Sequence, residues 1–308
     1  MIDTNTTVIF ERRLTNTRLL LIAGGGAAAG LILAFSVVGS ANFDTGSMGA
    51  GQDARAYWSA ARVASYRAEA GEYGAYLYSP AFLHAFSPIL SLPWQQFLAA
   101  WTMVLMATLV LLTGPVLFLL ALPLAFFEIW GGNIHLLLAA AIVVGFRWPA
   151  TWSFVLLTKV TPGVGLLWFA VRREWRSLGI ALMATLTFIA GSWLVDPRLW
   201  QSWIELLLRE AGSPPPAGSV GIPLLVRLPI AALIVAYAGV TDRRWLVPIG
   251  AMVGLPVLWW GSLSMVLGSV ALERKRLEQA LMSALVALPE LIRSRVPRRR
   301  DWVTEPES

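Results

Sequence analysis

Long apolar runs, separated by short polar or basic punctuation, make up most of the chain. Behind a polar stretch carrying Arg12, Arg13 and Arg18, the run Leu19–Val38 is long enough for one membrane-spanning helix. A cleavable secretory segment has an apolar region of only about 7–15 residues. Gly39, Ser40 and Ala41 are therefore taken to end an uncleaved first span, not to mark a cleavage site. Further spans are predicted at Gln96–Thr113, Val116–Ile129, from Gly131 to Arg147, at Leu178–Leu194 and at Gly221–Val240, with Gly114-Pro115 a tight turn between two of them. Two polar stretches, about 39–95 and 195–220, are expected as loops on one side of the membrane. Asp53–Ala64 in the first has helical composition, Ser79-Pro80 and Ser87-Pro88 punctuate the remainder, and Leu92-Pro93 introduces the next span. The second loop carries the amphipathic run Leu199–Leu208 and closes with Ser213-Pro214-Pro215-Pro216, a stiff connector.

Two apolar stretches do not fit single spans. Trp148–Arg176 contains Pro162-Gly163, and Trp245–Leu272 contains Pro256 and Trp259-Trp260-Gly261. As straight spans they would send later basic clusters to the wrong side, against the tendency of arginine and lysine to stay cytoplasmic. As hairpins they return every cluster (12–18, 147, 172–176, 243–244, 274–276, 293–300) to one side. Each arm of the first hairpin has about 12 residues, or about 18 Å, too short for a hydrocarbon core of about 30 Å. Broken backbone at such depth is tolerated only inside protein or around a wet cavity, which makes the apex near Lys159 a candidate site. The tail Leu277–Ile292 is amphipathic and basic-flanked, as expected of a helix along the inner leaflet. The fold class is thus an all-α, polytopic transmembrane helical bundle over 1–275, with a basic cytoplasmic tail over 276–308 and both termini cytoplasmic.

Composition agrees. The 308 residues are 57% hydrophobic and 14% charged, against about 25% charged in soluble domains. The net charge of +6 reflects arginines at span ends, only Lys159 and Lys275 being lysine. No basic-aromatic reading motif accompanies it, so nucleic acid is not an expected partner. Absence of cysteine excludes disulfides and thiolate metal sites, and two histidines 51 positions apart make no metal site by spacing.

The stretch Gly51–Pro93 concentrates the polar chemistry. Asp53 and Tyr57 lie four apart, on one helical face, followed by Trp58 and Arg62, by Tyr76, Tyr78 and Pro80, and by His84. By itself Asp53 fits a solvated loop acid or a helix cap better than a general base. Glu128, at the end of a span, fits a carboxylate snorkelling to the membrane interface better than a site residue.

The order Asp53, Ala54–Tyr57-Trp58-Ser59-Ala60, Tyr76–Pro80, Leu92-Pro93, Gly132-Asn133, Leu157–Pro162 (LTKVTP) and RREWR resembles glycosyltransferase family 87 over about residues 45–275. The resemblance implies a GT-C-class membrane enzyme moving a hexose such as mannose from a polyprenyl-phosphate-sugar donor to a glycolipid, glycan or protein acceptor outside the cytoplasm. It implies an acid in the first outer loop as general base: Asp53, with Asp44 as runner-up. Charge developing on the departing phosphate calls for a cation, and Lys159 is the only lysine inside an apolar segment, with Arg227 second. His135, Asn133 and Tyr57 are further candidate phosphate or sugar contacts; His135 fits a satisfied interhelical histidine equally. No cofactor is expected and no metal site, although one carboxylate plus phosphate can hold Mg²⁺. Asp53 and Lys159 are expected to face each other across the donor headgroup. A transporter or flippase of a lipid-linked or small polar substrate also fits the broken helices. Members of the family are commonly longer, so a truncated, non-catalytic relative is a third reading.

Overall fold

A computed structural model describes residues 4–40, 49–62, 66–72, 74–211 and 213–295, excluding the side chains of 4–15 and 288–295. Asp44, the expected runner-up base, and the acidic end lie outside the described residues. The first helix, α1 (Thr4–Ser40), begins well before the apolar run, since no glycine or proline interrupts the polar stretch ahead of it. In the first loop, α2 (Gln52–Ala60) forms as expected, with Asp53 in its first turn where the helix dipole favours an acid.

Pro80 and Pro88 do not punctuate a loop; they lie in a helix, whereas Pro93 introduces the next span as expected. Ser79 precedes and Pro80 opens α3 (Pro80–Leu90), the position where a missing N–H costs nothing. Pro88 sits inside its last turn. The His84 carbonyl, which residue 88 would normally cap, accepts instead from the Ser87 hydroxyl at 3.0 Å. Phe82, Leu83 and Leu90 bury one side of this helix.

The next element, α4 (Trp94–Gly131), is two helical arms that reverse at Gly114, whose φ of 68° and ψ of 169° are open to glycine alone. Straight, it would be about 57 Å long. Instead the Trp101 indole N–H donates to the carbonyl of Gly132 at 2.7 Å, so its two arms run antiparallel as the Gly114-Pro115 turn predicts.

The short α5 (His135–Gly145) lies in the middle of the bundle, with Leu136, Leu138, Ala139 and Ile142 fully buried. Protein surrounds it, so its length need not match a bilayer. Both broken stretches are hairpins. In the first, α6 (Trp152–Thr158) ends at the extended Lys159, and a 3-10 turn at Thr161–Leu166 leads into α7 (Leu167–Val171), where Phe169 meets the Trp152 ring edge-on. After α8 (Trp175–Val195), α9 (Pro197–Glu210) is capped by Asp196, and α10 (Leu224–Thr241) follows. The second hairpin pairs α11 (Leu246–Val253) with α12 (Val266–Leu272), Ser269 Oγ donating to the Trp245 carbonyl at 2.6 Å. The chain ends in α13 (Arg274–Arg295).

One end of the bundle gathers several of the basic positions that bound the apolar runs. Arg18 reaches the Leu285 carbonyl, Arg274 lies beside Gly114, Arg172 pairs with Asp242, and Arg244 covers Phe146. The other end holds the two polar loops, which touch where Trp203 donates to the Leu77 carbonyl and Arg209 to that of Tyr66. Large apolar side chains such as Leu31, Leu186, Leu225 and Leu233 point outward from α1, α8 and α10. Soluble proteins do not expose such continuous apolar surface. Among the described residues four helices are long and apolar enough to cross a membrane, and the molecule is an all-α polytopic bundle.

Candidate active site

Two adjacent glycines let α2 settle on the end of α4. Gly51 N–H donates to the Trp130 carbonyl at 2.7 Å, and Ala54 packs directly over Gly132. Gly132 has φ of +72°, and a Cβ there would lie 2.7 Å from that of Ala54. Beside it, a Cβ on Gly131 would lie 2.9 Å from Asp53 Oδ2, so the carboxylate rests on bare backbone.

Asn133 is the hinge between this carboxylate and α5. Its Oδ1 accepts the Ile134 N–H at 2.8 Å and the Tyr57 hydroxyl at 3.3 Å, which fixes the amide orientation. Its Nδ2 therefore faces Asp53 and donates to Oδ2 at 3.0 Å. Tyr57 sits edge-on to Tyr78, Phe82 and Trp101, and its hydroxyl lies 3.1 Å from that of Tyr78. Burial, reinforced by Tyr78 and the Asp53 charge, holds the Tyr57 phenol well above its ordinary pKa, so it stays a neutral donor.

Two residues further on, His135 begins a second chain of contacts. Glu128, on the returning arm of α4, accepts from the backbone N–H groups of His135 and Leu136 and lies 2.8 Å from His135 Nδ1. The other ring nitrogen, Nε2, lies 2.9 Å from Lys159 Nζ and 3.3 Å from Ser262 Oγ. Lys159 also lies 5.9 Å from the Tyr78 ring. Ser79 anchors the first hairpin by donating to the Leu157 carbonyl through both its N–H and its hydroxyl.

The Asp53 pKa is pushed up from 3.8 to about 6, first by burial and then by the Glu128 charge, against the opposing pull of Lys159 and of the Asn133 hydrogen bond. A carboxylate so poised is half ionised near pH 6 and mostly ionised at neutral pH, which suits proton abstraction. Among the described residues no three histidine, aspartate or glutamate side chains converge as a metal site.

The sequence profile of glycosyltransferase family 87 matches residues 76–289, more than half of the chain. The chain belongs to glycosyltransferase family 87. No curated protein and no solved structure matches it. The family-87 match begins later than the resemblance read from the sequence, at Tyr76 rather than about residue 45. Asn133, His135, Lys159, Arg227, Glu128 and Ser262 lie inside it; Asp53 and Tyr57 precede it.

In this family-87 chain Asp53, Asn133, His135, Tyr57 and Lys159 come together, and Arg227 stands apart. Asp53, Asn133 and Lys159 are partly exposed, whereas Tyr57 and His135 are 1% and 0% exposed, which leaves them no surface to offer a substrate directly. Arg227 is 4% exposed and donates to the carbonyls of Ile222, Val253, Leu255 and Pro256. It clamps the second hairpin, a task sequence spacing does not reveal. Glu128 corrects the expectation of a snorkelling acid: it is fully buried and saturated by three donors. Tyr78 and Ser262, which sequence reasoning missed as site residues, carry no local signal beyond the tyrosine-rich loop and the tryptophan break they lie in. His84 is elsewhere, 2.7 Å from Ser192 Oγ on α8. A surface cavity of about 400 Å³ lined by Trp58, Arg62, Arg67 and Tyr76 includes neither Asp53 nor Lys159.

Proposed function

We propose that this membrane glycosyltransferase moves a hexose such as mannose from a polyprenyl-phosphate-sugar donor to a glycolipid, glycan or protein acceptor at the outer face of the plasma membrane. The single observation that supports this is that Asp53 and Lys159, both partly exposed, are tied to the same short segment, through Asn133 and His135 respectively. Asn133 occupies Oδ2 of Asp53, which leaves Oδ1 to take the proton of an acceptor hydroxyl. The acceptor oxygen then bonds to the anomeric carbon as the carbon–oxygen bond to the phosphate breaks. The electron pair leaves with the polyprenyl phosphate, whose charge the Lys159 ammonium offsets. In this reading Asn133 lies at the edge of the sugar, while Tyr57, His135 and Arg227 are supports and not contacts. No cofactor takes part.

Residues 1–275 form the transferase unit, the termini face the cytoplasm, and α13 lies along the inner leaflet with its Arg274-Lys275-Arg276 cluster at anionic headgroups. The meeting of two broken hairpins at His135 also favours a transporter of a lipid-linked substrate. Incubation of the purified chain with a set of polyprenyl-phosphate sugars and membrane lipid extract separates the two. Transfer appears by mass spectrometry as an acceptor heavier by one hexose, and its absence with every donor overturns the enzyme. Lys159→Ala is expected to weaken donor binding about 10-fold or more, as for loss of one charge-assisted contact, and to leave acceptor binding nearly unchanged. Equal losses for both would make Lys159 a structural residue.

A further inference from the structure

We propose that Glu128 is a positioning residue for Lys159, acting through the tautomer of His135. A carboxylate only accepts hydrogen bonds, so the Glu128 oxygen 2.8 Å from Nδ1 requires the proton there. The neutral ring then presents the Nε2 lone pair, and Lys159 Nζ donates to it at 2.9 Å. Ser262 completes the arrangement. Its Oγ accepts the Trp259 N–H at 3.1 Å, which leaves its own proton for Nε2 at 3.3 Å. Three elements thus converge on this ring at the start of α5: the end of α4, the apex of the first hairpin and the turn that opens the second arm of the second hairpin. None of Glu128, His135 and Ser262 is exposed, and Lys159 is the one member of the chain that reaches the surface. A flexible ammonium on four methylenes is thereby held in one place, at a hairpin apex where the backbone of Lys159 leaves the helix as extended chain.

The substitution that separates positioning from mere support is Glu128→Gln. Its amide oxygen can still accept the N–H groups of His135 and Leu136, so the start of α5 remains capped. Its NH₂ then faces Nδ1, which must become the acceptor, and the ring proton moves to Nε2. There it meets Lys159 and Ser262 as a third donor, and the lysine loses its partner.

The inference rests on the proposed donor, and its test separates the two. The chain has only two histidines, so ¹⁵N-histidine labelling of the full-length protein in nanodiscs gives two rings, and a His84→Gln variant assigns them. The wild type is expected to show His135 with Nδ1 protonated and Nε2 bare, Glu128→Gln to exchange the two, and Lys159→Ala to shift only the Nε2 resonance. Polyprenyl phosphate is expected to bind Glu128→Gln and Lys159→Ala each about 10-fold more weakly than the wild type, and the double variant no more weakly than either. A wild-type ring protonated at Nε2, an Nε2 resonance indifferent to Lys159→Ala, or additive losses in the double variant would overturn the positioning role and leave the proposed function standing. Failure of the wild type to bind polyprenyl phosphate would overturn the proposed donor and, with it, the purpose of the relay. The Lys159→Ala spectrum decides the matter even where Glu128→Gln does not fold.

Discussion

Asp53→Asn is expected to reduce sugar transfer by about 10²–10⁴-fold, the range that one general base supplies, while polyprenyl-phosphate-sugar still binds. Asparagine keeps an oxygen for the Asn133 amide, so the local hydrogen bond survives and only the proton acceptor is lost. The wild-type rate should rise with pH along a limb centred near 6, where the buried carboxylate ionises. The same shift makes a statement about stability. Folding raises this pKa from 3.8 to about 6, so the folded chain binds the proton more tightly than the unfolded one. The resulting penalty is absent below pH 4, grows as pH rises through 6 and is complete above it, where it is worth about 3 kcal/mol. Asp53→Asn should therefore raise the unfolding temperature at pH 7.5 and leave it nearly unchanged near pH 4. A variant that is inactive and also less stable at pH 7.5 would mark Asp53 as a structural acid instead.

Arg227→Ala carries the second large effect, on stability. The guanidinium donates four hydrogen bonds of 2.7–3.0 Å to carbonyls, three of them at the apex of the second hairpin. Removing it leaves those oxygens in a nearly closed site, where each unsatisfied polar group costs about 1–3 kcal/mol. Allowing for partial relaxation, the loss is expected to be about 3–5 kcal/mol, seen as a lowered unfolding temperature of the full-length chain in detergent. Arg227→Lys should recover only part of it, because a single ammonium cannot reach both sides of the fork. Lipid-phosphate binding should fall as well, since the clamped loop continues into Trp259 and Ser262. Full recovery by lysine would show that charge alone suffices there.

Much of the architecture is local and therefore legible. An apolar run long enough for a bilayer, a Gly114-Pro115 turn, and breaks at Pro162-Gly163 and Pro256 are all properties of neighbouring residues. Among the described residues Arg18, Arg172, Arg244 and Arg274 gather at one end in the structure because they bound those runs. Asp53 and Tyr57 share a face because four residues make roughly one helical turn.

What the sequence by itself determined is thus the all-α polytopic class, the two hairpins and the face that carries Asp53. The tertiary structure alone decided what each polar group touches. An acid at the end of a span has the same neighbours in sequence whether it turns toward headgroups or inward, and for Glu128 the choice came from how the returning arm of α4 packs against α5. Ser79-Pro80 is equally good at ending a loop and at opening a helix; burial of Phe82, Leu83 and Leu90 selected the helix. Asp53 meets Asn133 80 positions away, and His135 meets Ser262 127 positions away. Contacts over such separations depend on helix rotation and side-chain packing, which no local pattern encodes.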